Sequence, residues 1–93
     1  MKMASDPDKL LKKHAGLTHS ELQKVTSHVQ REKDDWFVNT VMIQGHTVPF
    51  KFKRKKVYQS LTGARVNLTY YPEIETIAGF NVDIMQVVRI KKS

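Results

Sequence analysis

From residue 36 onward apolar and polar residues alternate in short runs, whereas Leu22, Val25 and Val29 lie three and four apart. The first pattern has the period of a β-strand and the second that of a helix. Residues 36–44 and 47–54 therefore read as two strands linked at Gly45-His46. A turn at Ser60-Leu61-Thr62-Gly63 leads into residues 64–71, where Val66, Leu68 and Tyr70 share a face, and Pro72 is expected to halt that strand. Residues 73–78 read as a hairpin arm or loop and Gly79 as a turn or bulge. Residues 80–91 form the last strand, with Val82, Ile84, Val88 and Ile90 on one side.

The N-terminal part carries helix-start signals. Asp6-Pro7-Asp8 offers an N-cap and a first-turn proline ahead of residues 9–14, a short helix ending near Gly16. Thr18-His19-Ser20-Glu21 has the form of a capping box, Leu17 and Leu22 supply a hydrophobic staple, and Leu22, Val25 and Val29 make a narrow apolar stripe. This second helix is expected to end between residues 33 and 35. Both faces of residues 36–43 and 85–88 hold apolar side chains, which the helices would cover. The expected class is α+β in one domain: a helical segment of one or two helices in residues 1–35, then a small, strongly curved antiparallel sheet or barrel of four or five strands in residues 36–93.

Leu61-Thr62-Gly63-Ala64-Arg65-Val66-Asn67-Leu68, followed by a loop and residues 82–90, resembles the last two strands of oligonucleotide-binding (OB-like) barrels, cold-shock domains among them. An SH3-like barrel accommodates the same pattern. The aromatic-rich RNA-binding motifs of cold-shock domains are absent, so the resemblance carries over no binding residue.

Charge changes the picture more than length does. The 93 residues carry a net charge of +7, unevenly spread. Residues 1–35 hold seven Lys/Arg against six Asp/Glu, while residues 36–93 hold nine against three. Such a field attracts polyanions, nucleic acid first among them. Cysteine is absent, which excludes disulfides, thiolate catalysis and cysteine-ligated zinc. No apolar run reaches signal-peptide or membrane-spanning length, and the expectation is a cytoplasmic protein without membrane insertion.

The excess charge culminates in Pro49-Phe50-Lys51-Phe52-Lys53-Arg54-Lys55-Lys56-Val57-Tyr58. Alternation sends Phe50 and Phe52 to the core and Lys51 and Lys53 outward, and Arg54, Lys55 and Lys56 break it at a bulge or strand end. These five cations are the candidate phosphate contacts, with Arg65, Arg89, Lys91 and Lys92 as possible neighbours. Single-strand binders add aromatic faces on which bases stack. Among Trp36, Phe50, Tyr58, Tyr70 and Tyr71, the parity of Tyr71 opposes that of Val66, Leu68 and Tyr70 and makes it the preferred stacker.

Enzymatic chemistry lacks a matching constellation. His14, His19, His28 and His46 have no metal-ligand spacing, Glu73 and Glu75 read as solvated loop acids, and Gly45, Gly63 and Gly79 are isolated turn glycines. The expectation is a non-enzymatic module without metal or cofactor. It binds single-stranded or structured RNA or DNA; the competing expectation is a protein-interaction or homodimerisation module that uses the helix stripe or Met85 and Val87.

Overall fold

The computed structural model describes residues 17–93, and these form five strands and no helix. In chain order they are β1 (Thr18–Lys33), β2 (Trp36–Ile43), β3 (Phe50–Arg54), β4 (Arg65–Ile77) and β5 (Phe80–Lys92). They close into a barrel in the order β1-β2-β3-β5-β4. Strands β1 to β3 form a meander and β4 returns to lie beside β1, which is a Greek key; β5 fills the gap between β4 and β3.

Two expectations about the fold are corrected. The segment read as a second helix, beginning at Thr18, is the long strand β1; the expected helix over residues 9–14 lies outside the described residues. The sheet is mixed rather than antiparallel, because Phe50 and Lys51 of β3 pair in parallel with Met85 and Gln86 of β5. Parity requires this. Around a closed ring of five strands the directions cannot all alternate, so one neighbouring pair must run the same way. The other four interfaces are antiparallel.

β1 serves two partners, pairing with β4 through residues 18–24 and with β2 through residues 25–33. It coils between them through irregularities at Ser20/Gln23 and Val25/Ser27. Leu22 sits in the first of these with φ +55°. The inward side chains of the barrel are Val25, Val41, Ile43, Phe50, Phe52, Val66, Leu68, Tyr70, Val87 and Ile90, with Leu61 inserted from the β3–β4 loop. Phe50 packs edge-on to Tyr70, ring centroids 4.8 Å apart, and the Tyr70 hydroxyl shares a 2.9 Å hydrogen bond with Ser20. The expected placement of Phe50 and Phe52 in the core is therefore observed.

The register also corrects the last strands. Pro72 does not halt β4, which runs on to Ile77. Beyond Tyr70 it has left its β1 partner, and a proline at a strand edge forfeits no ladder bond. A bulge between Thr69 and Tyr70 reverses parity on β5, so Val87 and Ile90 point inward while Val88 turns out. Val87 is thus core and no docking residue, and Met85 packs against the same core. Residues 72–84 leave the barrel as a two-stranded arm, turning at Ala78 (φ +51°) and Gly79 (φ +84°). Two consecutive positive φ values define the type I′ hairpin, whose twist matches that of the strands.

Candidate nucleic-acid interface

The basic run is held by a short strand and a pinned loop. β3 pairs Val38 with Lys53 and Thr40 with Lys51, which places both lysines on the outer wall of the barrel while Phe50 and Phe52 fill its inside. The strand ends at Arg54, and Lys55 and Lys56 follow in a bend. Beyond them the chain must cross back to β4 without a ladder of its own, and side chains of β1 substitute for one. Gln30 brackets Tyr58, its Nε2 donating to the Tyr58 carbonyl and its Oε1 accepting from the Tyr58 amide, each at 2.6 Å. His28 Nδ1 accepts from the Leu61 amide at 2.9 Å, and the Gly63 amide donates to the Val25 carbonyl at 2.8 Å.

The cations differ in their freedom. Lys51 is half-buried and its ammonium donates to Glu75 Oε1 at 2.6 Å, an ion pair between β3 and the arm. Lys53 is exposed on the outer wall. The Arg54 guanidinium lies 4.8 Å from the Phe52 ring centroid and 5.8 Å from that of Tyr58, and donates to the Lys53 carbonyl at 2.8 Å. The Lys55 ammonium sits 4.6 Å from the centroid of Trp36, a ring that remains 39% exposed at the start of β2. Lys56 is exposed. Lys53 and Lys55 with Trp36 thus form a basic-aromatic surface along the β2–β3 wall, and Lys56 follows in the bend at its end.

The other expected residues belong elsewhere on the barrel. Tyr71 is half-buried on the outer face, separated from Lys51 by Gln86, with which both residues pair in register. Burial, and then the neighbouring Glu73 carboxylate, raise its phenol above the ordinary value of 10.0. Arg65 pairs across from Lys24 and donates to the Leu22 carbonyl at 3.0 Å. Arg89 and Lys91 line a cleft of about 260 Å³ with His19, Glu21, Asn67 and Thr69. In that cleft His19 bonds Thr69 Oγ1 through Nδ1 at 2.9 Å and Glu21 through Nε2 at 3.2 Å. No β2 or β3 residue lines it, so the expected cations do not share one wall.

Sequence reasoning missed Lys24 and His19 as partners of Arg65 and of the Arg89–Lys91 cleft. The helical reading sets Lys24 on a helix and His19 in its capping box, and gives no reason to bring either beside β4. Trp36 was among the available rings but ranked below Tyr71; its register position next to Lys55 follows from the β2–β3 pairing. Among the described residues no group of three or more His, Asp or Glu is placed to hold a metal ion. No helix among them is long and apolar enough to cross a membrane. No family model, curated protein or solved structure matches the chain.

Proposed function

We propose that this protein is a small nucleic-acid-binding barrel that contacts single-stranded or structured RNA or DNA through the β2–β3 wall. The observation that carries the reading is the Lys55 ammonium over the exposed Trp36 ring, with Lys53 exposed on the same wall and exposed Lys56 next in the chain. Lysines neutralise phosphates and release counterions, and an indole offers a face on which a base stacks whatever its identity. The architecture supports the same wall. An oligonucleotide-binding barrel is a five-stranded Greek-key barrel that uses the face of its second and third strands, and this chain has that strand count and key. Asp34 and Asp35 of the β1–β2 turn precede Trp36 in the chain and Glu75 of the arm pairs with Lys51, so acidic groups flank the wall.

The test is fluorescence anisotropy of labelled twelve-nucleotide single strands, RNA and DNA, titrated with the protein at low and moderate salt. Binding is expected at low salt, with quenching of Trp36 emission. The pair Lys53→Glu and Lys55→Glu should weaken it at least tenfold across sequences, whereas Arg89→Glu should weaken it less. Absence of binding at low salt would remove the proposal, and binding insensitive to the Lys53/Lys55 reversal would move the contact off this wall.

A further inference from the structure

All three acids of residues 36–93 lie on the arm, and the arm carries no Lys, Arg or His. Residues 72–84 therefore form an anionic projection from a cationic barrel. The arm also exposes large apolar side chains: Phe80 is 73% exposed, Ile74 63% and Ile77 46%. Such a surface repels the phosphates that the β2–β3 wall attracts and needs a separate occupant.

Among the described residues its backbone is open as well. Ile77 and Phe80 flank a two-residue turn and exchange both ladder bonds, so hydrogen-bonded and non-hydrogen-bonded pairs alternate back along the arm. Thr76 and Ile74 stand in the non-hydrogen-bonded pairs, opposite Asn81 and Asp83, and turn their own N–H and C=O groups away from β5. The Met85 amide checks this parity. It belongs to the same class of pair, opposite Pro72, and donates outward to the Pro49 carbonyl of the neighbouring chain segment at 2.8 Å. On the β4 side β1 stops at Thr18, across from Tyr70, so among the described residues nothing pairs with Ile74 or Thr76 along that edge.

At the base of the arm a groove of about 460 Å³ reaches from β4 across β5 to the segment before β3, lined by Val48, Pro72, Ile74, Ile84 and Met85 together with Glu73 and Asp83. We propose that the arm is a docking edge for a partner protein, which adds an extended segment of alternating apolar and Lys/Arg residues to β4 at Ile74 and Thr76. Main-chain bonds to that edge supply affinity, and alternate side chains supply specificity. Side chains on one face of the added strand meet Ile74 and the groove, and those on the other face meet Glu73. The acidity of the edge selects a basic segment over the neutral or acidic ones that an open strand would otherwise accept.

The probe is a labelled ten-residue peptide alternating lysine and valine, titrated into the full chain, with a glutamate–valine peptide as control. Saturable binding of the lysine peptide alone is expected. Amide signals of Ile74 and Thr76 should shift, and their hydrogen exchange should slow at least tenfold. Thr76→Pro removes an outward donor and the exposed Thr76–Asn81 side-chain bond but no β4–β5 backbone bond, so it should abolish peptide binding while leaving the barrel folded and any oligonucleotide binding in place. Glu73→Gln with Asp83→Asn should weaken the peptide at least fivefold. Equal binding of the two peptides, or full binding by Thr76→Pro, would overturn the proposal. So would peptide binding that appears only after removal of residues 1–16, which would make the chain's own N-terminal segment the occupant. Sedimentation as a dimer that Thr76→Pro dissociates would make the occupant a second copy and would overturn it too.

Discussion

His28 joins three parts of the chain through one ring. Because its Nδ1 accepts from the Leu61 amide, the neutral ring carries its proton on Nε2 and donates it to Asn39 Oδ1 at 2.7 Å. Asn39, fully buried, passes the chain on by donating to the Phe37 carbonyl at 3.1 Å. No buried side-chain polar atom among the described residues lacks a partner, so removing the ring creates orphans where there were none. His28→Leu keeps volume but strands Asn39 Oδ1 and the Leu61 amide, and it is expected to cost roughly 3 kcal/mol. For a domain of this size that is a fall of more than about 10 °C in melting temperature, read by circular dichroism. Adding Asn39→Leu should cost less than the sum of the two single changes, since each removes the other's orphan. Tyr71 gives a second test at this scale. Burial and then Glu73 raise its phenol, so the folded state holds the proton more tightly than the unfolded one. Its contribution to stability is complete below the ordinary tyrosine range and is lost as pH rises through the folded value. Following the Tyr71 ring carbon by NMR should place its ionisation above the ordinary 10.0; Glu73→Gln should lower it in part, because burial, the larger cause, remains. An ionisation at or below the ordinary value would contradict both causes.

At the scale of elements, β1 is where sequence and structure part. Its apolar residues Leu22, Val25 and Val29 recur at helical spacing, yet only Val25 is buried, while Leu22 and Val29 face solvent. The inner positions are instead occupied by polar side chains with structural work: Ser20 on Tyr70, His28 on Leu61 and Asn39, and Gln30 on Tyr58. Two irregularities then break whatever period of two was left. A strand whose inner face is polar and whose parity shifts twice shows no alternation, and the helix-like spacing is what remains visible. β3 and the barrel half of β4 are legible because each presents an unbroken apolar row to the core, and β2 because only Asn39 interrupts its row of Phe37, Val41 and Ile43. Among the turns, Asp34 (φ +50°) and Asp35 (φ +67°) adopt the left-handed conformations of a type I′ hairpin, in which Asp is tolerated and glycine is preferred at the second position. Asp34→Asn with Asp35→Gly supplies the preferred pair and separates no ladder contact. It should stabilise the barrel by about 1 kcal/mol, measured as a rise of several degrees in melting temperature; a fall would show that the two carboxylates hold the turn in some other way.

At the scale of the molecule, the candidate site was half legible: the alternation around Phe50 and Phe52 announced which lysines face outward, while strand order decided which cations share a wall. Closure puts β5 between β3 and β4, so Arg65, Arg89 and Lys91 cannot be assigned to the Lys53 surface from their charge alone. The division sets a quantitative expectation for salt. If a single strand lies along the β2–β3 wall, Lys53, Lys55 and Lys56 contact phosphate, while Lys51 is held by Glu75. Three contacts give a slope of log affinity against log salt of about −2, at roughly −0.7 for each phosphate neutralised on a single strand. A ligand wrapping both walls would add Arg65, Arg89 and Lys91 and steepen the slope to about −4. The slope measured between low and moderate salt therefore counts walls. Glu75→Gln, which frees Lys51 without adding charge to the wall's own side chains, should steepen the slope by up to about one phosphate's worth. An unchanged slope in that variant would place Lys51 outside the contact and confine it to Lys53 and the residues beyond.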